Sequence, residues 1–323
     1  MKKLALLLGS LLVVGTTVAA KEAVVAPVEV SKEVVVVAEP VVEEIVIIER
    51  NEPAFKVTKF GMWTENDNTA GHADGDIGLT YLGLDLGLAS ASGDWTYGFQ
   101  GFKAWTLDTS EGVLDGKDTS RFQLDAWRHF NRDQDFKYSL GARARLQSGE
   151  SAYDRYYLRG KYSYGFLSGW TDLMYQSNNS TSNKRDEQKV EIMPLNMTFG
   201  PLTFGYFFYG MRNTGDVASG ERRGEVSEHQ LRAYFPLFAY EKLSTDVELR
   251  LGLHRDQKQA NKTKTDDGDY DFGDLQRYAL NVNYAYSERL SISGYYLYEI
   301  VKYSTDKRDN YYGEFGAGWS YKF

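Results

Sequence analysis

The chain has 323 residues, no cysteine and a formal net charge of -8. The missing thiols exclude disulfides, thiol chemistry and thiolate metal sites, and the acidic balance argues against a nucleic-acid partner, which calls for a basic surface. Aromatic residues make up 15% of the chain, with 24 Tyr, and Gly reaches 31; this mixture suits strands that keep one face in lipid and the other in water.

In chain order, Lys2 and Lys3 precede an uncharged run from Leu4 to Val14, and Val18-Ala19-Ala20 supplies small residues. A basic start, a short apolar core and a small-residue cleavage site predict a secretory signal peptide over 1–20. The run is too short to span a bilayer as a helix, which takes about 20 apolar residues. Residues 21–53 are rich in Val, Glu and Pro, with Pro27, Pro40 and Pro53 interrupting any helix. They predict an extended periplasmic leader or linker, with a plug or a partner-pairing segment as the alternative.

From 54 to 323 the pattern is that of an outer-membrane β-barrel: segments with period-2 alternation recur. They fall near 54–63, 77–88, 95–107, 120–130, 136–147, 153–165, 169–176, 188–199, 201–211, 226–236, 244–254, 276–286, 290–302 and 311–323. The fold class is therefore all-β, a transmembrane antiparallel barrel of about 14 strands, an even number as bacterial single-chain barrels have. Twelve is the alternative, because Pro194 falls inside the eighth segment and cannot donate to a ladder. The apolar parity switches at that proline, from Val190 and Ile192 to Leu195, Met197 and Phe199; a β-bulge accounts for both facts. Connectors after odd strands are mostly long and polar and those after even strands short, the alternation of outer loops and periplasmic turns. The loop after strand 11 is the longest and the leading candidate for an inward constriction.

Alternation also divides the chemistry. Tyr138, Leu140, Ala142, Ala144 and Leu146 share one parity of strand 5, and Arg143 and Arg145 the other. On the inward parity strands 4 to 6 carry Arg121, Arg143, Arg145, Arg155, Arg159 and Lys161, with Asp125 the main acid among them. Around the rest of the ring come Glu191, Glu228, Glu248, Glu299 and Glu314, with Arg232 and Arg250 interspersed. This predicts a basic wall facing a more acidic one across water, a lining that biases ion passage. Trp319, Tyr321 and Phe323 alternate in the last segment and read as the closing strand and its assembly signal.

The four histidines include His72 and His254 beside loop aspartates Asp74 and Asp256, but no nucleophile motif or paired acids accompany them, so no enzyme is expected. The Asp266–Asp271 run lacks the regular spacing and terminal glutamate of a calcium loop. No catalytic, metal or cofactor residue is assigned. The reading is a water-filled diffusion channel for ions and small hydrophilic solutes, with a surface adhesin or structural barrel acting through its loops as the alternative.

The opening MKKLALLLGSLLVVG, the Val/Pro/Glu-rich leader and the aromatic barrel ending in Phe323 resemble the major outer-membrane porins of fusobacteria. The resemblance implies a voltage-responsive, weakly selective diffusion porin, a homotrimer in a Gram-negative cell outer membrane, with loops that meet host or bacterial surface ligands. The partners expected are outer-membrane lipid, the barrel assembly machinery, and the ions and solutes that pass. No nucleic acid is among them.

Overall fold

A computed structural model of the chain describes residues 54–68, 78–108, 113–149, 152–178, 185–214, 223–259, 268–304 and 310–323. The expected signal peptide and leader lie outside these residues, as do His72 and Asp74. Fourteen strands follow one another: β1 (Phe55–Asn68), β2 (Gly78–Ser90), β3 (Trp95–Asp108), β4 (Val113–Phe130), β5 (Phe136–Ser148), β6 (Tyr153–Tyr164), β7 (Leu167–Ser177), β8 (Glu187–Phe199), β9 (Leu202–Asn213), β10 (Glu225–Tyr240), β11 (Leu243–Lys258), β12 (Leu275–Ala285), β13 (Leu290–Val301) and β14 (Asn310–Lys322). Each pairs antiparallel with its sequence neighbours, and β1 pairs with β14, so the sheet is a closed barrel without edges.

The seam runs from Lys59↔Lys322 to Asn68↔Gly313, and the Phe323 amide donates to the Thr58 carbonyl at 3.3 Å. Phe60 and Trp319 meet edge to face across it, with ring centroids 5.7 Å apart. The apolar residues of the first strand change parity, from Phe55 and Val57 to Phe60 and Met62, and the change has a local cause. The register steps between Val57 and Lys59, so Phe55 and Val57 share an outward face with Phe60 and Met62 only because a bulge at Thr58 absorbs one residue. The switch in β8 has the same origin: Ile192 pairs with Phe208 and Leu195 with Tyr206, leaving Met193 and Pro194 as the bulge. The proline therefore sits where no ladder donor is required.

Strands extend past the segments marked by alternation. β1 runs to Asn68, not 63, and β4 starts at Val113, where Asp108↔Val113 and Leu107↔Leu114 continue the ladder with β3. Much of what reads as polar loop is thus paired backbone. These extensions are mostly polar in sequence, so period-2 hydropathy has little to report there. The connectors after even strands are short and fully described: 91–94, 131–135, 165–166, 200–201, 241–242 and 286–289. Gly200 turns at φ +59 before Pro201, a left-handed conformation that a side chain would strain.

The two faces differ as the alternation requires. Leu84, Leu140, Leu158, Leu173, Leu280 and Phe315 stand outward, all exposed in the isolated chain. Each such side chain gains about 1.5–3 kcal/mol on leaving water, which makes this surface a lipid-facing belt. The inward residues are polar and largely covered, among them Gln123, Asp172, Gln176, Glu228, Gln230 and Arg232.

Candidate functional site: the charged lumen

β4, β5 and β6 place their inward positions in register, so the long-range bonds follow from the ladder. Asp125 lies opposite Arg143, and Gln123 opposite Arg145. Arg143 Nε donates to Asp125 Oδ1 at 2.7 Å, and Arg145 Nε to Gln123 Oε1 at 2.8 Å. Arg159 reaches past β5, with Nη1 2.8 Å from Asp125 Oδ1, and its Nε donates at 2.8 Å to Asp172 Oδ1, its direct neighbour on β7. Asp172 is inward on β7 and only 5% exposed. The Trp127 ring lies under Arg159 and Lys161, at 4.8 and 4.7 Å. Trp127, Arg143, Arg159, Lys161, Asp172 and Glu191 line one cavity of about 670 Å³.

Toward the end of the barrel that carries the long connectors the arginines are held differently. Arg155 donates Nε to Gln176 Oε1 at 2.8 Å and Nη1 to the Tyr157 hydroxyl at 3.2 Å. Arg143, Arg145 and Arg155 gather round the Tyr157 ring, at 5.3, 5.6 and 6.0 Å from its centroid. Arg121 stacks on Phe102 at 3.9 Å, and Arg232 on Phe207 at 3.5 Å. Stacking on a ring offsets part of the cost of covering a guanidinium, without neutralising it.

The more acidic wall predicted across the lumen is not formed by the glutamates of β10, β11 and β13. Each of these bonds to an arginine: Glu228 to Arg255 at 3.0 Å, Glu299 to Arg277 at 2.6 Å, and Glu248 to Arg250 in close contact. Among the described residues, three acids without such a pair gather at the seam instead. Glu65, Asp67 and Glu314 bring their oxygens within 4.8 Å of one another. Tyrosines tie them: Tyr295 Oη lies 2.7 Å from Glu65 and 2.5 Å from Glu314, Tyr312 donates to Glu314 at 2.5 Å and Tyr81 to Asp67 at 3.1 Å. These hydroxyls supply the hydrogen bonds that a metal ion would replace, and no metal is assigned. Glu65 shares a cavity of about 370 Å³ with Asp85, Gln100, Arg121, Arg145 and Tyr295, residues of β1 to β5 and β13. Only side chains on the enclosed face can line one space from so many strands.

Among the described residues, the connector after β11 folds inward. Tyr270 is fully buried, packed with Leu275 and Val301, and its backbone pairs with Arg255. A Cβ added to Gly252 would sit 2.5 Å from its ring, so this glycine makes room for the tyrosine. Burial, then the neighbouring Glu228 carboxylate, pushes the Tyr270 hydroxyl far above the ordinary phenol range. Asp269, from the acidic run, accepts the Gln257 amide at 2.6 Å. His254 meets Asp271 at 3.4 Å, both exposed, rather than Asp256.

Of the fourteen charged residues predicted to line the lumen, nine meet in the contacts just given for β4–β7, β10, β11 and β13, and Glu314 joins the cluster at the seam. Lys161, Glu191, Arg121 and Arg232 enter through cavity lining and ring stacking. Glu65 and Asp67 escape sequence reading because their segment has no apolar face. Asp172 sits at a legible inward position of β7, on the parity of Trp170 and Gln176. Nothing in the sequence marks Tyr270.

No family model matches the chain, and no curated protein does. Among solved structures it is similar to a bacterial polysaccharide outer-membrane secretin, at 11% identity and TM-score 0.47, over 83% of this chain and 98% of that one. It is also similar to the anion-selective porin from Comamonas acidovorans, at 13% identity and TM-score 0.44, over 83% of this chain and all of that one. The NanC porin aligns at 10% identity and TM-score 0.43, over 82% of this chain and all of that one. At these values the likeness is one of general barrel form and carries no assignment of solute or activity.

Proposed function

We propose that the protein is an outer-membrane porin, a water-filled channel through which ions and small hydrophilic solutes diffuse passively. The observation that carries this reading is the opposition of the two faces of one closed barrel. Its outside is an apolar belt, and its inside holds charged and amide side chains around cavities of about 670 and 370 Å³. Charges at this density are tolerated only with water or counter-ions among them. Arg121, Asp125, Arg143, Arg145, Arg155, Arg159, Lys161, Glu191, Arg232 and the paired glutamates form the channel lining in this reading. Residues 1–20 and 21–53 act as export signal and periplasmic leader, and Trp319, Tyr321 and Phe323 as the assembly signal.

The test is single-channel recording of the refolded protein in a planar bilayer. Discrete ohmic openings that scale with salt concentration are expected. Silence from correctly folded barrels would overturn the channel and favour a role carried by the loops.

A further inference from the structure

Eight lumenal arginines fall into two sets. Arg143, Arg159, Arg250, Arg255 and Arg277 each bond to a carboxylate. Arg145, Arg155 and Arg232 instead donate Nε to an amide oxygen, of Gln123, Gln176 and Gln230, at 2.8, 2.8 and 3.0 Å. Two of these glutamines pass their own amide hydrogen to an acid, Gln123 to Asp125 at 2.8 Å and Gln230 to Glu228. The glutamine is a neutral spacer: it orients the guanidinium while keeping the carboxylate one side chain away.

Arg145 and Arg155 are also direct cross-strand partners. Like charges in that position are destabilising, so what relieves them matters. The other row of opposed arginines, Arg232–Arg250–Arg277, has Glu248 and Glu299 bonded into it. Among the described residues no carboxylate lies within 4 Å of Arg121, Arg145 or Arg155. Among the described residues Arg145 hydrogen-bonds through Nε alone, which leaves its two Nη groups as a planar fork on the cavity that Arg121 also lines. Such a fork matches the oxygens of a carboxylate or phosphate.

We propose that Arg145 and Arg155, with Arg121 beside them, form a binding station for the oxyanion group of a passing solute, a carboxylate or a phosphate. The proposal deepens the channel reading and takes from it only the solute's access to the lumen. The bound group accepts from the Arg145 fork and from the Nη hydrogens that Arg155 does not give to Tyr157 and Gln176, and it supplies the counter-charge that the glutamine spacers withhold. Several charged groups face the station, Lys189 among them, 3.2 Å from the Gln176 oxygen that holds Arg155. Glu65 and Asp85 line the far side of the cavity, Asp85 being held by Gln100 at 3.1 Å and by Lys59 at 3.8 Å. Glu191 lies within electrostatic reach of Arg145 and Arg155, and Arg143 shares the Tyr157 ring. These acids keep the lumen from becoming an unselective anion trap, so the station takes a compact anion and not an extended polyanion.

The experiment titrates inorganic phosphate, and separately succinate, against the chloride current of the full barrel at constant ionic strength. Saturable block is expected. In R145Q/R155Q the half-blocking concentration rises about tenfold or more, the loss of charge-assisted hydrogen bonds. R145K/R155K keeps the charge and loses the fork; it blocks as weakly as the glutamine variant. Block that does not saturate, that persists in R145Q/R155Q, or that is undiminished in R145K/R155K overturns the station. Heat-modified gel mobility establishes that each variant folds. If the unaltered protein gives no openings, the channel reading fails by itself. The station is then decided by phosphorus NMR of phosphate with the detergent-refolded barrel: line broadening lost in R145Q/R155Q supports it, and no broadening overturns it.

Discussion

Arg159 on β6 bonds to Asp125 on β4 across the intervening strand, Nη1 to Oδ1 at 2.8 Å. The same carboxylate holds Arg143 on β5, and the same guanidinium holds Asp172 on β7. One chain of two acids and two arginines therefore ties four successive strands along the lumen wall. It also settles the state of the wall, since two of its six cations are already matched.

Asp125→Asn leaves Arg143 and Arg159 without the carboxylate they share. A loss of about 1–3 kcal/mol is expected, read as a lower urea midpoint of the refolded barrel. The reversal potential in a salt gradient shifts toward anions, because Arg143 loses its counter-charge and Arg159 keeps only Asp172.

Tyr295→Phe removes the hydroxyl that lies between Glu65 and Glu314. Three carboxylates then repel one another where β1 meets β14. The urea midpoint falls by an amount worth about 1–2 kcal/mol, and adding Glu314→Gln recovers much of it by removing one of the charges. A double-mutant cycle on the two positions reads the coupling directly.

Tyr270→Ala empties the inward fold of the β11–β12 connector at Gly252, Leu275 and Val301, and single-channel conductance rises. Alkaline pH acts on the same contact. The folded hydroxyl titrates far above its unfolded value of about 10, so the neutral form is favoured by folding. The stabilisation is complete below pH of about 10 and is lost as pH rises beyond it. Conductance increases over that range, and Tyr270→Phe, which has no proton to lose, shows a smaller rise.

Gly141→Ala places a Cβ 2.6 Å from the Trp127 ring and 2.9 Å from the Ala126 carbonyl oxygen. The ring can move but the backbone cannot, and overpacking of this kind costs about 1–3 kcal/mol. Tryptophan fluorescence during urea unfolding reports the earlier transition. Displacing Trp127 also disturbs the platform under Arg159 and Lys161.

The barrel was legible wherever lipid enforces a pattern. Leu140 and Leu158 must face outward, so their neighbours Arg143 and Arg159 must face inward, and the strand count and lining parity follow from a period of two. Even the bulge at Pro194 shows in the sequence, as a switch of apolar parity. Sequence alone thus determined the strand count and the alternation of the two faces. Only the tertiary structure decided which inward residues pair, because that depends on register between strands far apart in the chain. Asp172 reaches Arg159, Arg145 meets Arg155 with no acid between, and Glu65 joins Glu314 across the seam. Tyr270 and the polar ends of β1 and β4 remained hidden for a related reason. They lie where one-sided contact with lipid ends, and hydropathy no longer records which way a side chain points.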